Sequence, residues 1–462
     1  PRGGWLVVNG SPGKAVEEFV SLLRNAAGSL PIAPLRTPRP PDITLTDWLE
    51  SAPPEGWCIG HRATLREPDE HGATWVASSA DLHNDDTRAH LERVRQVRTA
   101  AGRNPIRRAR AVAAINHTGW SETAADLGAL TTGADAIVTG FTTELIALPF
   151  AEALGIPLVS LHHAPVRPNS SVGPLPQLPG ALGGPLVPAQ WSAAELLVRM
   201  ATRRQEAALR ERLGVRPATE PLSRLIEGNP GVEIQAYDPM FAITGDPRWE
   251  TSVRPRPAVG FIELARQAMT TATDPALDAW LDAGSAPVYF GFGSMPVRDS
   301  QATVTAMITA ARRVGRRALI CTGWSSARVS VPAGDDVFFT DTVDHHAVLG
   351  RCAAAVHHGG AGTTALALRH GIPSVICWFG ADQPFWGAQL RRAGAGVTMP
   401  VTRLTADSLE NALHTVDTDM VRRRALNAAR AMVGADVALD AAVTAVETAV
   451  GEPGVPVRRV AR

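Results

Sequence analysis

Two kinds of apolar pattern alternate through the second half of the chain. "APVYFGFGSM" is a continuous apolar run that stops at a glycine turn, and "QATVTAMITAARRVG" then spaces its apolar residues at helical intervals before a glycine stop. The same alternation predicts strands at "RALICTGW", "DDVFFTDTV", "AAAVHHGG" and "PSVICWF", a short helix at "HHAVLGRC" and a longer one at "TTALALRHG". Short βα units of this kind predict a parallel, doubly wound sheet. Its ligand belongs outside the carboxyl ends of the strands, where Ser294, Trp324, Val343, His358 and Asp382 fall.

The first half carries the same pattern more weakly. "ADAIVTG", "TTELIALPFAEALG" and "IPLVSLHHAP" read as strand, helix and strand, and "AVGFIEL" as a further short strand. The Pro/Gly-rich "RPNSSVGPLPQLPGALGGPLVP" predicts a loop over the cleft, followed by the helix "SAAELLVRMATRRQEAALRERLG". Near the start, "WLVVNGSPGKAVEEFVSLLRNAAG" reads as strand, turn and helix. Residues 29–75 differ: seven prolines fall between Ser29 and Trp57 with no sustained period, so no regular structure is expected there. The organisation expected is an N-terminal α/β domain over 1–244, a linker over 245–286 and a second α/β domain over 287–440. A C-terminal segment, 441–462, is expected to cross back to the first domain.

Length supports two domains, since 462 residues exceed the roughly 250–300 at which one core stops growing. Lys+Arg and Asp+Glu balance at 45 each, which removes the electrostatic case for nucleic acid or an anionic membrane as main partner. A small molecule is the better expectation. No run approaches a membrane span and no secretory pattern opens the chain, so a cytoplasmic location is expected, with peripheral membrane contact left open. Cys58, Cys321, Cys352 and Cys377 stand singly, without metal spacing, and read as reduced core residues.

The densest chemistry lies between Val356 and Gly387, "VHHGGAGTTALALRHGIPSVICWFGADQPFWG". A strand runs into glycines and then a helix, which points free backbone N–H groups and the positive end of a helix dipole at one spot. That is an anion site. Thr363 and Thr364 add hydroxyls or cap the helix, and His358 stands at the strand end to donate to the same anion. His357 reads as packing beneath the turn, Trp378 as a packing residue, and Trp386 as either a packing residue or a platform for a sugar. One strand later, Asp382-Gln383 pairs a carboxylate with a carboxamide, which suits the hydroxyls of a sugar. Adjacent anion and sugar sites suggest a nucleotide-sugar.

With these motifs in place, the sequence resembles the GT-B fold, nucleotide-sugar-dependent glycosyltransferases of family 1. It is most like the bacterial branch that includes glycopeptide-antibiotic, sterol-type and mycobacterial glycolipid transferases. "FGFGSMP", "HHGGAGTTALALRHGIPSVI" and "FGADQPFWGAQL" carry the donor-domain likeness, and "LHHAPVRPN" and "EIQAYDPMF" that of the acceptor domain. The resemblance implies two Rossmann-like doubly wound domains facing a cleft. It implies that Ser294 and the Gly360, Gly362 and Thr363 backbone hold the diphosphate with His358. Trp324 and the Val343 main chain would flank base and ribose, and Asp382 and Gln383 would take the sugar hydroxyls. The implied reaction moves a hexose from a UDP- or TDP-sugar to a hydroxyl of an apolar acceptor, with inversion, no metal and no cofactor beyond the donor.

The likeness fails at the N-terminus. The family opens with a strand, a glycine-rich turn of the type "GTRGD" or "GHxxP", and a helix, and its Asp or His is tied to acceptor activation. Here Ser11-Pro12-Gly13-Lys14 supplies no ordinary base. An upstream segment beyond Pro1, a frame change within 29–75, or a diverged acceptor half each accounts for this. His162 and His163, at a strand end facing the cleft, are the fallback base candidates. Two rivals stay open: a catalytically impaired nucleotide-sugar-binding relative, and an NAD-dependent Rossmann oxidoreductase, because Gly362 and Asp382 echo the spacing of a dinucleotide fingerprint.

Overall fold

The computed structural model describes residues 6–9, 64–68, 74–78, 120–131, 133–177, 183–263, 274–293, 295, 297, 299–322, 334–341 and 343–451. Ser294, Trp324, Cys58 and nearly all of residues 29–75 lie outside these.

Each half builds a six-stranded sheet. The first contains β1 (Leu6–Asn9), β2 (Thr64–Pro68), β3 (Thr74–Ser78), β4 (Ala136–Gly140), β5 (Leu158–His162) and β6 (Glu233–Gln235), in the order β2-β3-β1-β4-β5-β6. Only the edge strand β2 runs antiparallel. The second contains β7 (Val288–Gly291), β8 (Ala318–Cys321), β9 (Val337–Thr340), β10 (Ala354–His357), β11 (Ser374–Trp378) and β12 (Gly396–Pro400), in the order β12-β11-β10-β7-β8-β9. All its pairs are parallel. Strands covered on both faces have no wet side to mark with polar residues, which is why β7 and β10 are unbroken buried runs.

Helices wrap both sheets: α1 (Trp120–Leu130), α2 (Glu144–Leu154), α3 (Val187–Leu213), α4 (Ser300–Arg313), α5 (Ala361–Arg369), α6 (Gln383–Ala393), α7 (Ala406–Val416), α8 (Asp419–Ala431) and α9 (Ala435–Val450). Glycines in the left-handed conformation stop α2, α3 and α6 at Gly155, Gly214 and Gly394. α3 starts earlier than the sequence pattern suggests, with Pro188 in its first turn, where a missing N–H costs nothing. Trp191 anchors that turn by donating to the Val172 carbonyl at 2.8 Å. The strand expected at "AVGFIEL" is reduced to a single bridge between Ala258 and Gln235, because Pro255 and Pro257 leave few N–H groups to pair there.

The halves share a core. Ala164, Val172, Tyr237, Phe241 and Phe261 of the first pack with Phe385, Trp386, Leu390 and Met432 of the second. Polar ties reinforce the seam: Asp238 accepts from the Val433 N–H at 2.7 Å, and Arg369 donates to Glu263 at 2.7 Å. α9 lies on the first sheet, where Ala442 and Val446 join Val138, Val159 and Ile234.

Candidate functional site

The second sheet winds outward from β7 through β8 to β9, then restarts on the opposite side of β7 with β10. Two neighbouring strands whose connections leave in opposite directions open a crevice at their carboxyl ends. His358 stands in that crevice. A Cβ placed on Gly293, in the turn after β7, would lie 3.5 Å from the imidazole, and one on Gly360 would meet its Nε2 at 2.5 Å. A side chain at Gly360 would therefore displace the ring, whereas one at Gly293 would only touch it. Its Nδ1 is buried without a hydrogen bond. Burial holds the imidazole below its ordinary pKa, offset only in part by the Gly291 backbone, so the ring is neutral near pH 7.

Gly360 begins α5, and no side chain caps that helix. The Thr364 N–H bonds back to the Gly360 carbonyl at 3.0 Å, so the N–H groups of Ala361, Gly362 and Thr363 precede the first intrahelical bond. Gly362 is exposed, with open space where a side chain would stand. His357 turns the other way. It is fully buried, its Nδ1 accepts from the Gly359 N–H at 3.1 Å, and burial together with His358 and His345 pushes its pKa down to about 3. Val343, after β9, packs its side chain against the Leu319 and Val348 cluster and leaves its main chain at the strand end.

Beyond β11 the chain turns through Gly380 and Ala381 into α6. Ala381 has φ 53°, a left-handed conformation. Asp382 is half-buried, and burial raises its carboxyl pKa, with a hydrogen bond from Trp386 pulling the other way. Gln383 points inward. Its Oε1 accepts from the Phe379 N–H at 2.7 Å and its Nε2 faces the Met295 sulfur at 3.6 Å, so the carboxamide braces the loop. The structure therefore brings together His358, Gly360, Gly362, Thr363 and Asp382 along one edge, and engages Gln383 inside it. Trp386 was missed as a polar partner, although Asp382 and Trp386 are four residues apart, on one helix face.

The facing edge of the first sheet carries a buried ionic network in which Glu144 Oε2 has no hydrogen-bond partner. Glu144 Oε1 accepts from His162 Nε2 and from Arg167 Nη2, each at 2.7 Å, and Arg167 Nε donates to Glu233 Oε1 at 2.8 Å. Gln235 Nε2 donates to His162 Nδ1 at 3.2 Å. Burial alone would raise the Glu144 carboxyl, but Arg167 and His162 outweigh it and hold the group well below the carboxylate range. His162 is 0% exposed with both ring nitrogens engaged, so no acceptor hydroxyl reaches it. That removes one of the two histidines expected as bases. His163 is exposed beside it. The protein crowding the strand end, and His162 next, push its pKa down to about 4, which leaves an accessible neutral imidazole. Polar residues inside otherwise apolar elements, such as Glu144 in "TTELIAL", were the available sign of this network.

Known proteins share this architecture. The family model "Erythromycin biosynthesis protein CIII-like, C-terminal domain" matches residues 322–447. A second model, named RdgC, matches residues 1–101. The chain is 38% identical over 314 residues to the "uncharacterized glycosyltransferase Rv1524" of Mycobacterium tuberculosis, covering 68% of this chain and 73% of that protein. It is 32% identical over 337 residues to the vancomycin aglycone glucosyltransferase of Amycolatopsis orientalis, covering 70% and 79%. Among solved structures, the glycotransferase of kitacinnamycin superposes with a TM-score of 0.61 at 16% identity, covering 97% of this chain and 98% of that one. The two facing doubly wound sheets are the GT-B fold, and the chain belongs to the family 1 glycosyltransferases. Among the described residues no helix is long and apolar enough to cross a membrane.

Proposed function

We propose that the protein transfers a hexosyl group from a UDP- or TDP-sugar to a hydroxyl of an apolar acceptor, with inversion and without a divalent metal. The observation that carries this reading is the uncapped start of α5 beside the neutral His358, whose buried Nδ1 lacks a partner. A departing nucleoside diphosphate gathers negative charge on its oxygens, and fixed N–H groups at a helix start stabilise such charge without reorganising. Gly360, Gly362 and Thr363 supply the backbone, and Asp382 the acceptor for sugar hydroxyls. Ser294 and Trp324 keep their expected roles at the diphosphate and the base. His163 takes the proton from the acceptor hydroxyl, since His162 is enclosed.

Binding of UDP, TDP and NAD to the full chain, followed by transfer from UDP-glucose or TDP-glucose to a panel of sterol and polyketide alcohols, tests the reading. Stabilisation by NAD alone would refute it. Tight nucleotide-sugar binding with neither transfer nor donor hydrolysis would make the chain a binding relative. His163→Ala should lower kcat about 100- to 10,000-fold. Since the surrounding protein and His162 lower the His163 pKa, the acid limb of kcat/KM should fall below the roughly 6.5 of an ordinary histidine.

A further inference from the structure

Asp382 sits at the start of α6, where a carboxylate ordinarily accepts from backbone N–H groups two or three residues on, yet it makes no such bond. The reason is local. Pro384 has no N–H, and the Phe385 N–H already bonds the Asp382 carbonyl at 2.9 Å. The strong donor left is the indole of Trp386, one turn along, whose Nε1–H reaches Asp382 Oδ2 at 3.0 Å. Oδ1 makes no hydrogen bond with a described side chain. An unused cap and a left-handed Ala381 thus fall side by side, and local rules broken together mark a place held in shape by its surroundings.

Trp386 is what holds it. The ring is 0% exposed. It lies 6.0 Å from Tyr237, 5.8 Å from Phe241 and 5.3 Å from Phe261, all from the first half, and 4.8 Å from Phe385 of its own helix, centroid to centroid. Its polar atom is therefore aimed by aromatic contacts across the seam between the halves. We propose that Trp386 is a positioning residue for sugar recognition: seated where the two halves meet, it fixes the Asp382 carboxylate so that Oδ1 is presented to a hydroxyl of the donor sugar. The way the halves pack then sets how well the sugar is held, while the nucleotide, bound at β7 and α5, is untouched. This rests on the glycosyl-donor reading above.

Trp386→Phe keeps an aromatic ring at the seam and removes the N–H, together with the second ring of the indole. Titrating the full chain with UDP and UDP-glucose, or with TDP and TDP-glucose, should show the nucleotide affinity within about twofold of wild type. The ratio of the two dissociation constants should move against the sugar by about tenfold to a hundredfold, the value of a hydrogen bond to a charged group. On an Asp382→Ala background the same change should add nothing. An unchanged ratio in folded Trp386→Phe, or an additive effect in the double variant, overturns the proposal. Should Trp386→Phe fail to fold, the indole N–H resonance of the wild type serves: it should shift with UDP-glucose and not with UDP, and equal shifts overturn the proposal. A wild type that binds neither nucleotide refutes the donor reading itself and takes this inference with it.

Discussion

The two halves bring strand ends to the same cleft and treat polarity there differently. Along the second sheet polar groups are left open: three N–H groups at the start of α5 and the Nδ1 of His358. Along the first sheet Glu144, His162, Arg167 and Glu233 spend their hydrogen bonds on one another. Unsatisfied buried groups are expensive, so they persist where a ligand completes them. The ionic network orders its surroundings through these mutual bonds, with only Glu144 Oε2 among its charged oxygens left without a partner among the described residues. The difference is one of degree: the second edge leaves more of its polar groups unengaged, while the first ties most of its own to one another and leaves His163 exposed beside them.

The comparison breaks or sharpens under mutation. Glu144→Ala strands Arg167 and His162 in the interior, and removing one partner of a buried pair costs about 3–5 kcal/mol. Thermal or urea melts should show that loss, while UDP affinity of the molecules still folded stays at the wild-type value. Loss of nucleotide binding while the fold persists would erase the distinction. His358→Ala should do the reverse, lowering kcat about 100- to 1,000-fold with little change in the melt, as when one donor to a developing anion is removed.

Acid should separate the edges again. Glu144 and Glu233 are depressed in the folded state, mainly because Arg167 overcomes their burial. Their contribution is present above the unfolded carboxylate pKa of about 4.3 and is lost as pH falls below it toward the folded values. Asp382 is shifted the other way, by burial, so its ionised form is lost at a higher pH than an ordinary aspartate's. Discrimination between UDP-glucose and UDP should therefore fade on acidification before the melting temperature drops. The opposite order would contradict the assignment of Asp382. The smallest effect is expected at Ala381: exchange for glycine relieves a left-handed alanine, and Ala381→Gly should gain about 1 kcal/mol in stability at a modest cost in donor affinity.

Much of the second half was legible from its pattern. β7 through β11 fall within the runs that suggested them, because buried parallel strands write their period directly into the sequence, while α5 starts at Ala361, two residues before its run. The glycine turn from β10 into α5 around His358 was legible in the same way, as a strand running into glycines and then a helix. What escaped was long-range. Nothing local tells that Gln383 turns inward to Phe379 or that the Trp386 indole is aimed by Tyr237 and Phe261, because those contacts depend on how two halves meet. His162 and His163 are adjacent in sequence, and strand alternation sends one inside and the other out; the pattern named both without choosing. The base motif sought near the N-terminus falls in residues outside the described set.

The course of α9 has a practical bearing on exchanging parts between such enzymes. This helix follows the second half in sequence but lies against Val138, Val159 and Ile234 of the first, and a Cβ on Gly260 would collide with its Ala438 at 2.7 Å. A donor half cannot be transplanted with a single splice near residue 286. A chimera needs a second splice after α8, so that the last helix stays with the sheet it covers. Hybrids made with one junction seat a foreign last helix on the first sheet and should lose stability at that contact, whatever the compatibility of their active sites.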